Sequence, residues 1–230
     1  MKYLWIVVFC LGILVSQVNA QEGAELKSQK DKVSYSIGLS IGKDLKKESL
    51  DIDVDLLTKG IKDAIAGGKT LMSDQEVGEA MAAFQKEMMA KQGARMKAVG
   101  EKNKTEGEAF LVENKKKEGV VTLPSGLQYK VIKAGDGEMP KASDTVSTNY
   151  RGTLVDGTEF DSSYKRGQAV TFPVNGVIPG WTEALQLMKV GSKWELYVPS
   201  NLAYGEKGAG HNIGPNATLI FEVELISIKK

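Results

Sequence analysis

The residues in this chain whose types could do chemistry lie in its C-terminal half: Tyr150, Phe160, Asp161, Val177, Ile178, Trp181, Tyr204 and Phe221. The set is rich in aromatics, has one carboxylate and contains no nucleophile. The single histidine, His211, sits in the glycine-rich run Gly208-Ala209-Gly210 without an acidic or cysteine partner nearby in sequence, and reads as a surface residue. Metal-ligand spacing is absent. So are a nucleophile elbow and a phosphate-cradling glycine loop in the right context. What the set can do is bind something apolar. Trp181, directly after Pro179-Gly180 at the mouth of a helix, offers a flat indole floor. Trp194 and Phe172 read as plain core. On spacing alone Asp161 is equally a pocket carboxylate or the cap of a turn before Ser162-Ser163.

The elements that must position these residues show in the periodicity. Gly176 to Trp181 ends a strand and opens a short helix through Trp181, Ala184, Leu185 and Met188, closed by Gly191. Period-two alternation marks Leu127 to Val131, Val146 to Tyr150, Val170 to Val174, Trp194 to Val198 and Leu219 to Leu225. Asp156-Gly157 is a strong hairpin signal because the tight turn needs positive φ. Five or so antiparallel strands and one short helix predict an α+β fold, a twisted half-barrel whose concave face the helix covers.

The first half is helical. Val33, Ile37, Ile41 and Leu45 recur every four residues with Ser36, Gly38, Ser40 and Gly42 between them, and a second helix fits Val54 to Ala66 with Gly67-Gly68 as its stop. Ser73 to Glu76 has the form of a capping box, so a third helix begins there. Nothing clearly stops it before Gly119. It is amphipathic through Met81, Phe84, Met88 and Met89, then turns mostly charged and small beyond about Lys91, with Gly93, Gly100 and Gly107 seven apart. A helix polar all round is either a solvent-exposed arm holding two units apart or a frayed linker. The apolar stripe of residues 33–89 is short and rich in glycine and methionine, so residues 32–89 are expected to complete their core in a homodimer.

At 230 residues the chain holds one large domain or two modest ones. Lys2, the apolar run Leu4 to Val15 and the polar Ser16 to Ala20 have the layout of a secretory signal cut after Ala20, with a core shorter than the roughly 20 residues that span a bilayer. The only cysteine, Cys10, falls inside that run, so residues 21–230 carry no disulfide, thiolate or cysteine metal site. Export without disulfides suits a bacterial periplasm or outer surface. Loss of Lys2 takes the 30 Lys and Arg to 29, equal to the 29 Asp and Glu, so net charge gives no reason to expect nucleic-acid binding.

Four motifs in order, YRGTLVDGTEFDSS, VIPGW, AYG and ATLIFEVEL, resemble the FKBP-type peptidyl-prolyl cis-trans isomerases over about residues 124–230. The signal-like start, helical part and long third helix resemble the exported, dimeric Mip-like branch. The resemblance implies signal 1–20, dimerisation region 21–72, connecting helix 73–119 and isomerase domain 120–230. It implies a pocket of Tyr150, Phe160, Asp161, Val177, Ile178, Trp181, Tyr204, Ile213 and Phe221, with Arg166 orienting Asp161. Trp181 would lie under a substrate proline ring, and the Ile178 N–H and Tyr204 hydroxyl would bond substrate carbonyls. Val170 and Ala209 depart from residues common in the family. Implied partners are proline-containing unfolded or extended polypeptides and macrolide-type FKBP inhibitors; no cofactor is implied.

X-Pro rotation suits such a pocket, because the barrier of about 18–20 kcal/mol comes from amide resonance and no bond is made or cleaved. A rival reading is a periplasmic chaperone that grips clients between exposed arms and uses the pocket only to recognise proline. An adhesion or structural role has only the export signal behind it.

Overall fold

The computed structural model describes residues 25–229, so the signal-like stretch 1–20 lies outside the described residues. The chain divides into two compact units between Ser73 and Asp74. In the first, α1 spans Gln29–Lys47 and α2 spans Val54–Ala66. Helix α1 starts at Gln29, ahead of the apolar repeat that opens at Val33, because Ser28 and Asp31 form a capping box: Asp31 N–H donates to Ser28 Oγ at 3.1 Å, and Ser28 N–H donates to Asp31 Oδ2 at 2.8 Å. Asp53 caps α2 by accepting from Asp55 and Leu56 N–H, and Gly67 ends it at φ 65°. Neither helix buries a residue; Ile37 is 57% and Ile65 83% exposed.

The second unit opens with α3, Asp74–Asn114, followed by seven strands. These are β1 (Val120–Thr122), β2 (Gln128–Lys133), β3 (Thr145–Leu154), β4 (Glu159–Ser162), β5 (Val170–Pro173), β6 (Lys193–Val198) and β7 (Leu219–Lys229). The order is β1-β2-β6-β7-β3-β4, all antiparallel, and β5 shares the β3 edge with β4. Strand β4 is the return arm expected after the Asp156-Gly157 turn, through Phe160 and Asp161, whereas β1, not among the strands expected, is too short to alternate visibly. The Asp156-Gly157 turn is present: Gly157 has φ 86° and the Asp156 carboxylate accepts from Thr158 N–H.

Two helices follow the strands inward. Helix α4, Ser163–Arg166, is a single turn, and α5, Pro179–Leu185, covers the concave face. Pro179 sits at the start of α5, where its missing N–H costs nothing. Ala184, Leu185 and Met188 are fully buried with Leu127, Val146, Leu196, Leu219, Val223 and Leu225. A Cβ on Gly180 would lie 2.6 Å from Val198 Cγ1, so only glycine lets α5 come this close to β6.

The course of α3 corrects two expectations. It ends at Asn114 rather than running to Gly119, and from residue 100 onward it is neither frayed nor a free arm. Gly100, Gly107 and Asn114, two turns apart each, are its three buried residues. Gly107 packs on Thr218, Gly100 on Pro215, and Phe110 meets Tyr197 with ring centroids 5.9 Å apart. Asn114 Nδ2 donates to Gln128 Oε1 at 3.0 Å, and Gln128 Nε2 donates to the Leu111 carbonyl at 2.9 Å, so β2 closes the helix end. Gly100 and Gly107 are contact points, whereas Gly93 touches nothing among the described residues. Hydrophobic periodicity could not reveal a docking face built from Gly, Asn and one Phe, although the seven-residue spacing was visible.

Candidate functional site

A cavity of about 440 Å³, within the size range of ligand pockets, opens between β3, β4, β5 and α5. Tyr150, Phe160, Asp161, Phe172, Gly176, Val177, Ile178, Trp181, Tyr204 and Phe221 line it. Trp181 is its floor, 4% exposed, because it is the first inward residue of α5 after Pro179-Gly180. Tyr150 and Phe221 meet it edge-on, each with centroids 5.2 Å away, and Phe160 stands edge-on to Phe221 at 5.5 Å. Register sets these rings. Tyr150 pairs with Val223 across β3 and β7, and Phe221 lies opposite Gly152, two residues along.

Gly152 is a site residue that the sequence reading missed. A Cβ there would stand 2.6 Å from Phe160 Cζ and 3.0 Å from Phe221 Cε1, so its absence lets both rings lie across β3. Phe172, read from sequence as plain core, also lines the wall, tilted against Trp181 at 5.6 Å. The signal was its place in the Val170, Phe172, Val174 alternation, one short turn before Val177. Trp194 is core, stacked on Tyr129 at 4.2 Å. Ile213 packs against the core from its loop and is not among the cavity lining. His211 is exposed.

The polar corner is a three-residue network. Tyr150 Oη–H donates to Asp161 Oδ2, Arg166 Nη1 donates to Asp161 Oδ1, and Arg166 Nη2 donates to Tyr150 Oη at 2.8 Å. Arg166 reaches back because α4 reverses the chain in one turn. Ser162 Oγ caps α4, accepting from Lys165 N–H, and Gly167 at φ 71° closes it. Buried Ser163 ties the turn to β3 by accepting from Tyr150 N–H at 2.8 Å. Burial disfavours the charged Asp161 carboxylate, but the bonds from Tyr150 and Arg166 and the charge of Arg166 outweigh it and hold its pKa below the ordinary range. Burial, helped by the Asp161 bond, pushes the Tyr150 phenol up. Asp161 is therefore an ionised acceptor whose two oxygens are already engaged, and is poorly suited to act as a base.

Two donors face outward from this frame. Ile178 caps α5, its carbonyl accepting from Trp181 and Thr182 N–H, while its own N–H has no acceptor among the described residues. Tyr204 is 41% exposed at the rim, and its hydroxyl bonds to no described residue. An apolar cup with two free donors and one carboxylate already paired with Arg166 can desolvate a small ring and hold carbonyls. It has no group positioned to attack a bond.

The comparisons with known proteins agree with this geometry. Residues 136–226 match the family model for FKBP-type peptidyl-prolyl cis-trans isomerases, and residues 30–131 match that for the domain amino-terminal to them. The Outer membrane protein MIP of Legionella longbeachae is 48% identical over 100% of this chain and 99% of its own length. The peptidyl-prolyl cis-trans isomerase Mip of Coxiella burnetii is 46% identical over 100% of both. The crystal structure of FkpA from Escherichia coli, 42% identical, superposes with a TM-score of 0.71 over 89% of this chain and 99% of that one. With relatives of this identity along its whole length and an apolar, nucleophile-free cavity at its centre, the chain belongs to the FKBP-type peptidyl-prolyl cis-trans isomerases, enzymes that bind proline-containing substrates and speed rotation about the X-Pro bond.

Proposed function

We propose that the cavity between Trp181 and Tyr204 takes the proline of an extended polypeptide, with the ring on the Trp181 indole and the flanking carbonyls on Ile178 N–H and the Tyr204 hydroxyl. Phe160, Phe221, Val177 and Tyr150 exclude water around the amide. The observation that carries this reading is the pairing of an aromatic cup with an Asp161 already held by Tyr150 and Arg166. A planar amide is more dipolar than a twisted one, so moving it out of water raises the ground state relative to the rotation transition state. Donors that fit the twisted geometry better lower the barrier further, each by about 1 kcal/mol, or roughly fivefold. Macrolide-type FKBP inhibitors compete for the same cavity.

The substrates are exported polypeptides, and the chain works as a homodimer through residues 32–89. Support comes from the signal-like residues 1–20, from a full-length relative named an outer membrane protein, and from α1 and α2, which bury nothing of their own. Met96, exposed on α3 beyond the dimerising residues, favours a chaperone role beside the isomerase one, because an adaptable methionine surface grips varied clients.

NMR exchange on a short X-Pro peptide with residues 21–230 tests the site. Phe160→Ala should remove most of the acceleration, whereas full turnover in that variant would refute it. The same variant separates the roles. Suppression of client aggregation at the wild-type level would place chaperone activity outside the cavity; its loss together with turnover would make the two one function.

A further inference from the structure

Helix α3 touches the loop that follows Tyr204. Asn103 Nδ2 donates to the Pro215 carbonyl at 2.8 Å, and a Cβ on Gly100 would stand 3.1 Å from Pro215 Cβ. Asn216, next in the chain, adopts φ 55° and donates its backbone N–H to the Gly205 carbonyl at 2.8 Å. Gly205 follows Tyr204 directly. The loop from Gly205 to Asn216 is thus closed across its base, and that base is held by the helix. We infer that Asn103 is a positioning residue for the isomerase site, fixing Pro215 and Asn216 and, through the Asn216–Gly205 bond, the place of Tyr204 at the rim.

This rests on the reading of the cavity as the substrate site. The Tyr204 ring is half exposed and its hydroxyl has no partner among the described residues, so its place is set by the backbone on either side of it. On one side stands the 3-10 turn Ser200–Leu202, and on the other the Gly205 junction. The helix has further anchors at Gly107 on Thr218 and Asn114 on Gln128, neither of which involves the Asn103 amide. Removing that amide therefore leaves α3 docked and takes the shortest of its bonds from the loop base, which keeps only the packing of Gly100 on Pro215 and the donation of Asn216 Nδ2 to the Gly100 carbonyl at 3.5 Å.

The test is a double-mutant cycle in residues 21–230, with Asn103→Ala and Tyr204→Phe made singly and together and kcat/KM read by NMR exchange on an X-Pro peptide. Asn103→Ala should lower kcat/KM by about three- to tenfold, as expected for the loss of one hydrogen bond, and should change nothing further on the Tyr204→Phe background. An equal loss in both backgrounds would show a general packing effect and overturn the inference. Unchanged turnover in Asn103→Ala would also overturn it. Failure of the underlying site reading is a separate result: full turnover in Phe160→Ala.

Discussion

Replacing glycine by alanine at two points of α3 should move stability in opposite directions. At Gly93 an added Cβ meets nothing within 4 Å, so the change gains only helix propensity, about 1 kcal/mol of stabilisation. At Gly107 the same methyl would lie 2.3 Å from Thr218 Oγ1 and 3.0 Å from Thr218 Cβ. A rotation of the Thr218 side chain relieves the first contact but not the second. Thr218 is 5% exposed and has little room to move. Overpacking of this kind costs about 1–3 kcal/mol, so after the propensity gain Gly107→Ala should be net destabilising by up to roughly 2 kcal/mol. In a unit of this size that lowers the Tm by up to about 8 °C, against the rise expected for Gly93→Ala. Of the three tryptophans Trp5 precedes Gln21, so the fluorescence of residues 21–230 comes from Trp181 and Trp194 and reports the sheet domain. Far-ultraviolet circular dichroism reports the helices alongside it. If Gly107→Ala proved as stabilising as Gly93→Ala, α3 would be standing free of the sheet and the docking described above would be wrong.

Phe160→Ala removes an aromatic wall worth about 1.5–3 kcal/mol of apolar contact, so kcat/KM on an X-Pro peptide should fall by roughly 10- to 100-fold. The folded-state pKa of Asp161 is depressed from its ordinary 3.8, so the stability it contributes is complete above about pH 3.8 and is lost as pH falls through the lowered value. Acid titration followed by tryptophan fluorescence should accordingly show a shallower acid limb in Asp161→Asn, and an unchanged limb would mean the network contributes nothing at that pH. Ile37→Glu places a charge on the exposed apolar face of α1 and should give a monomer by analytical ultracentrifugation with peptide turnover unchanged; a wild-type protein that is already monomeric at micromolar concentration would end the dimer proposal.

Whatever depends on neighbours in the chain was legible in the sequence. The Asp156-Gly157 turn follows from backbone sterics at one glycine, and β3, β5, β6 and β7 from the two-residue alternation of a pleated strand. The end of α2 at Gly67 follows from left-handed capping. The aromatic content of the cavity was legible too, since alternation assigns Tyr150 and Phe221 to faces of their strands and the proline-glycine pair fixes where Trp181 enters α5.

Other features were decided only when distant segments met. Arg166 reaches Asp161 because α4 turns the chain back, and Phe172, packed on the core, also becomes cavity wall because β5 shares the β3 edge with β4. Gly152 matters because two rings, one from β4 and one from β7, cross its bare Cα. Most of all, α3 looked like a solvent-exposed arm because its inner face carries Gly100, Asn103, Gly107 and Asn114 instead of leucines. Hydrophobic patterning detects burial by transfer from water. A face that docks through close backbone approach and amide hydrogen bonds leaves no such signal, and its partners, Thr218, Pro215 and Gln128, are brought alongside only by the fold.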